Sequence, residues 1–227
     1  MRQLLSVFFL ATTLAGSALA QDSAVQARSG DGQPASGYGY GGRAEVFATG
    51  FGLFSSQVNG GGIGEQATEA GGASAGYRFH FNSSSAIEGR YGFSRNSQKF
   101  STASGVTSIP AYFSEISGSY VYSFGRSHRI QPFLEGGGGL VIFSPTNYSA
   151  GSSVYGGGGT TSVGLPGQSK GMFAYGGGAD VPMSPRVSLR LEFRDVGYKT
   201  PDFGTAAYHT NTFSFLYEPS VGFAYRF

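Results

Sequence analysis

From about residue 43 to the end of the chain, apolar and polar side chains alternate, which gives a strand two unlike faces. Eight stretches carry this period of two: approximately 43–54, 72–82, 85–95, 112–124, 129–143, 171–182, 186–196 and 212–227. The last is the clearest. Phe213, Phe215, Tyr217, Pro219, Val221, Phe223, Tyr225 and Phe227 share one parity, while Ser214, Glu218, Ser220, Gly222, Ala224 and Arg226 share the other, with Leu216 the exception. The stretch at 186–196 sets Val187, Leu189, Leu191 and Phe193 against Arg190, Glu192 and Arg194. Each stretch reaches the ~9–11 residues with which a tilted strand crosses a bilayer.

The links between them sharpen the prediction. Residues 55–71, 96–111, 144–170 and 197–211 are long, polar and rich in Gly, Ser and Thr, whereas 83–84, 125–128 and 183–185 are tight turns. Long and short links alternate strictly. A soluble β-sandwich has no reason to make every second loop long, but a transmembrane barrel has short periplasmic turns and long extracellular loops. The predicted fold is therefore all-β: an eight-stranded antiparallel transmembrane up-and-down β-barrel over 42–227. An even strand count puts both ends on the short-turn, periplasmic side. Four consecutive glycines, Gly136 to Gly139, suit a bent barrel wall. A phosphate-binding loop would need a helix next, and Leu140-Val141-Ile142-Phe143 continues as a strand instead.

Composition agrees. The chain has 39 Gly, 20 Phe and 14 Tyr, no Trp, and only 12% charged residues. Soluble domains carry about 25% charge, and glycine with aromatics favours turns and strands over long helices. Disordered chains are poor in aromatics, so disorder does not fit. A formal net charge of +2 gives no reason to expect nucleic acid. The absence of cysteine excludes disulfides, thiolate metal sites and an N-terminal lipid anchor. Residues 1–20 have a basic start at Arg2, a short apolar stretch and the ending Ala18-Leu19-Ala20, which predicts a signal peptide cleaved after Ala20. Residues 21–41 lack any period and are expected to form a flexible periplasmic lead-in.

If the apolar parity faces lipid, the other parity lines the barrel. That set holds Glu45, Glu88, Glu115, Glu135, Asp180, Glu192 and Glu218 together with Arg43, Arg78, Arg90, Arg190, Arg194 and Arg226. An eight-stranded barrel is just wide enough for side chains to fill. Mixed signs in so confined a space point to a plug of paired charges, and the forked guanidinium can bridge two carboxylates. The rival is a narrow ion-conducting or small-solute path, which a ring of one sign would favour.

No catalytic, cofactor or metal site assembles from the sequence. His80, His128 and His209 are far apart and lack metal-ligand spacing. His80 with Ser83 invites comparison with membrane-embedded hydrolases, but nothing assigns them an acid. Asp195, Lys199, Asp202 and His209 share the fourth long link and read as solvated loop groups. The third link, Ser144 to Lys170, holds Gly156 to Gly159 and could meet an extracellular partner of unknown identity.

Three segments carry a resemblance: Gln131-Pro132-Phe133 through to Ile142-Phe143-Ser144-Pro145; Leu189-Arg190-Leu191-Glu192-Phe193-Arg194 with Tyr198-Lys199-Thr200-Pro201-Asp202-Phe203; and the ending Glu218 to Phe227. They resemble the bacterial outer-membrane β-barrel domain family, which includes the OmpA-like transmembrane and OmpX-like barrels, over roughly residues 43–227. The resemblance implies outer-membrane lipid as surroundings. It also implies that Val221, Phe223, Tyr225 and Phe227 act as the C-terminal signal read by the barrel-assembly machinery. A peptidoglycan-binding domain, which follows the barrel in OmpA-like proteins, is not expected here. The family serves as scaffolds, adhesins and weak pores, so the resemblance speaks for architecture more than for activity.

Overall fold

A computed structural model describes residues 43–102, 105–124, 130–146, 148–151, 160–163, 165–204 and 210–227. The signal peptide, the lead-in, the turn at 125–128, Gly156 to Gly159, His128 and His209 lie outside these residues.

Eight long strands form the wall: β1 (Ala44–Ser55), β4 (Ala70–His80), β5 (Ser85–Thr102), β6 (Gly105–Ser123), β7 (Gln131–Pro145), β10 (Gln168–Pro182), β11 (Val187–Lys199) and β12 (Phe213–Arg226). Each pairs antiparallel with its neighbours in the chain's wall order, and β1 pairs with β12 from Glu45↔Arg226 to Ser55↔Leu216. The cylinder is closed. Closure leaves no sheet edge through the wall, the condition for a β-structure to sit in hydrocarbon.

Along the middle of the wall the outer face is apolar. Ile87, Phe93, Ile116, Leu134, Leu140, Leu191, Phe193, Val221 and Phe223 all stand exposed on it. Water would penalise so continuous an apolar surface, whereas acyl chains accept it. At one end the strands are joined tightly. Asn82 Oδ1 accepts from the Ser84 and Ser85 amides at 2.9 and 2.8 Å, and Ser184 Oγ accepts from the Val187 amide at 3.1 Å. These side chains replace backbone partners that a two-strand reversal leaves open.

The opposite end departs from the expectation of irregular loops. Residues 96–111, read as a loop, are mostly strand: β5 and β6 stay paired from Ser85↔Tyr122 to Thr102↔Gly105. The 18 residues of β5 span about 60 Å at 3.3 Å per residue, so this hairpin projects well beyond the wall. The long first link contains β2 (Val58–Gly60) and β3 (Ile63–Ala67). They turn through Gly61 and Gly62, whose φ values of 60° and 79° suit glycine in a two-residue hairpin. β3 then pairs with β5. In the third link, β8 (Tyr148–Gly151) and β9 (Thr160–Val163) form a separate two-stranded sheet.

Of the four-glycine run, Gly137 and Gly139 face inward. A Cβ on Gly139 would lie 2.0 Å from the Ile116 carbonyl oxygen and 2.7 Å from Ser117 Cα on β6. The wall curves too tightly there for a side chain. Glycine is required by close approach, as the bent-wall reading expects.

Candidate functional site

The inward residues divide by height into two layers. In the half nearer the tight turns, inward positions are charged. Arg190 and Asp180 face each other in the β10–β11 register, with Arg190 Nε 2.8 Å from Asp180 Oδ1. Arg190 also pairs with Glu45 on β1, on the far side of β12, and Glu45 holds Arg226 at 2.9 Å. Arg78 and Glu88, adjacent on β4 and β5, meet at 2.6 Å. Arg90 bridges Glu88 and Glu192, each at 2.7 Å. Arg194 reaches Glu115 at 2.7 Å, Glu135 at 2.9 Å and Glu218 at 3.3 Å. The rings of Phe47 and Phe133 carry the guanidiniums: Arg190 lies 4.8 Å from the first and Arg78 4.6 Å from the second.

The network thus joins strands whose members are far apart in sequence. It holds twelve of the thirteen residues expected in it. Arg43 is the correction: it is exposed at the foot of β1 and makes no ion pair among the described residues. Its carbonyl accepts from the His80 amide at 2.8 Å, but it precedes the first wall residue, where alternation no longer constrains a side chain. Without Arg43 the acids outnumber the arginines, and neutral donors supplement them. Among them, Ser117 Oγ donates to Glu115 at 2.6 Å.

The other half is dominated by an apolar cluster that alternation does not predict, with Asn96, Gln98, Thr200 and Ser214 buried beside it. Phe51, Leu53, Phe100, Ile109, Phe113, Val141, Phe143, Met172, Val196 and Leu216 form one buried cluster. Phe113 and Phe143 rings pack edge-on at 5.5 Å, and Phe143 meets Tyr198 at 5.4 Å. Leu216, the exception in the terminal strand's parity, is a member of this plug. Its signal was present in the sequence: inward positions turn apolar toward the long-link end of β1, β6, β7, β11 and β12. At the tight-turn end a cavity of about 10 Å³ touches Glu45, Asp180 and Arg226, space for about one water.

Among the described residues, His80 and Ser83 do not come together. Glu45 stands near His80, but Ser83 is exposed in the turn and no hydrogen bond joins it to His80 among the described residues. No group of three or more metal-ligating side chains occurs among the described residues. Of the fourth-link polar residues, Asp195 accepts from the Tyr175 hydroxyl at 2.7 Å and Asp202 from Gln168 at 2.5 Å. They do not converge.

A closed antiparallel cylinder with lipid-compatible walls and a side-chain-filled interior defines an integral outer-membrane β-barrel. The chain belongs to the outer membrane protein beta-barrel domain family, whose model matches residues 8–227. In fold it is similar to Neisserial surface protein A (NspA), with a TM-score of 0.55 and 16% identity, covering 81% of this chain and 97% of that one. It is similar also to the outer membrane protein OprG from Pseudomonas aeruginosa, with a TM-score of 0.52 and 10% identity over 82% and 96% of the two chains. No curated protein matches its sequence.

Proposed function

We propose that this barrel is a non-catalytic outer-membrane scaffold that presents its long-link rim to partners outside the cell and does not conduct. What supports this reading is the dry layer across the lumen, where Leu53, Phe100, Ile109, Phe113, Val141 and Phe143 are almost wholly buried. An ion crossing it would exchange its hydration for apolar side chains and the few polar groups of Asn96, Gln98 and Ser214 buried among them. The tight-turn end faces the periplasm, and cleavage after Ala20 frees a short lead-in on that side.

Purified protein in planar bilayers is expected to show no reproducible conductance. A steady conductance that changes when Arg190 or Glu192 is replaced would establish the pore reading instead. Fatty-acid release from envelope lipid, lost in His80→Ala, would establish a hydrolase.

The terminal residues Val221, Phe223, Tyr225 and Phe227 act in assembly. They line the outer face of the strand that must close on β1, and the Phe227 amide donates to the Ala44 carbonyl at 3.0 Å. Deleting Phe227 should cut the fraction of protein that migrates as a folded barrel in unboiled gels of outer membranes, while refolding in detergent stays near normal. Equal loss in both settings would make the residue structural and not a signal.

A further inference from the structure

Glu65 stands apart from the charge network. It lies on β3, outside the membrane wall, paired with Phe100 on the projecting part of β5. Its neighbours Ile63 and Ala67 pack against the apolar plug. Glu65 itself is 1% exposed, and its carboxylate oxygens make no well-formed hydrogen bond, with the Thr200 hydroxyl facing them. Among the described residues, Thr200, just beyond β11, and Tyr198 on β11 face it, and Tyr198 in turn stands by Gln98 on β5 and Ser214 on β12. Only Tyr198 among these titrates. Lys99 and Lys199 are exposed on the opposite parity of their strands. Asn96 Nδ2, Gln98 Oε1 and the Tyr198 hydroxyl also lack partners.

Among the described residues no cation stands beside Glu65, and a buried carboxylate so placed is poorly compensated, whereas a carboxylic acid is neutral. Burial accordingly pushes the Glu65 carboxyl up to about 8, with Thr200 pulling the other way.

We propose that Glu65 is a proton-operated latch: with its proton it holds the β2–β3 hairpin closed over the barrel mouth, and without it the hairpin is released. Release would expose the aromatic plug at the rim. The latch stands whether or not the barrel conducts.

The direction in pH follows from linkage. In the closed form the carboxyl titrates near 8, and in a released, hydrated hairpin near 4.5, its ordinary value. The closed form therefore binds the extra proton between those values, and its ratio to the open form falls about tenfold per pH unit as pH rises through that window. Below about 4.5 and above about 8 the ratio is flat.

Hydrogen exchange of the full chain, refolded in detergent and corrected for the intrinsic pH dependence of amide exchange, tests this. Amides 64, 66, 99 and 101, which lie between β3 and β5, should lose about tenfold protection per unit from pH 5 to 8, while amides 189–194 in the wall hold theirs. Glu65→Gln, neutral at every pH, should keep the hairpin protected throughout. If that variant does not assemble, Glu65→Leu must likewise abolish the slope. A flat wild-type profile, or an unchanged slope in the neutral variant, would overturn the latch.

Discussion

Arg190→Leu is expected to lower the unfolding free energy of the barrel by about 3–5 kcal/mol, the usual cost of removing one partner from a buried ion pair. Arg190 is completely buried and serves three acids from three strands: Asp180 at 2.8 Å, Glu88 at 3.6 Å, and Glu45. Leucine fills part of the volume but leaves Asp180 without its bidentate donor, for the Arg190 Nη2 bond to Asp180 Oδ2 at 3.0 Å goes as well. In place of the guanidinium, Asp180 has only the neighbouring cavity of about 10 Å³, space for about one water. Arg190→Lys should fall between wild type and leucine, because an ammonium keeps the charge but not the fork. Urea unfolding of barrels refolded in detergent, read by migration in unboiled gels, measures the difference. Arg43→Leu is the control and should change little, since Arg43 is exposed. A loss below about 1 kcal/mol for Arg190→Leu would mean that water, not the opposing side chains, solvates the interior.

The adjacent residue gives the second large effect with the opposite logic. Leu191→Arg is expected to destabilise the barrel by about 2–4 kcal/mol in lipid vesicles, the cost of a cation on the hydrocarbon face near mid-membrane. Leu191 is exposed on the outer face, in register with Ala179 on β10 and Val221 on β12. The same substitution near the strand ends, at Phe213 for example, should cost roughly 0–1 kcal/mol because the side chain can reach the interface. Equal penalties at the two positions would mean that depth in a bilayer does not govern this face.

These neighbouring residues show how far the sequence could be read. Alternation assigns Arg190 inward and Leu191 outward because a strand's side chains point to opposite faces, whatever the strand pairs with. It also assigns Glu65 nothing, because β3 has five residues set among glycines, too few for a period to register. The hairpin at 96–111 was hidden for a related reason. Its Ser, Thr and Asn suit a loop by composition, yet Gln98, Phe100, Ile109 and Ala111 all turn inward once the two strands pair. Pro110 strengthened the loop reading, but it sits where β7 ends at Pro145, so its missing amide faces no ladder.

By itself, then, the order of residues determined the number of wall strands, their two faces and the alternation of tight and long links, since these depend only on local period and turn chemistry. Which inward residues share a height was decided by tertiary structure, because height follows from the stagger between strands distant in the chain. That stagger gathers Glu45 with Arg190 and Arg226, separates a charged layer from a largely apolar one, and leaves Glu65, among the described residues, beside uncharged groups at the rim.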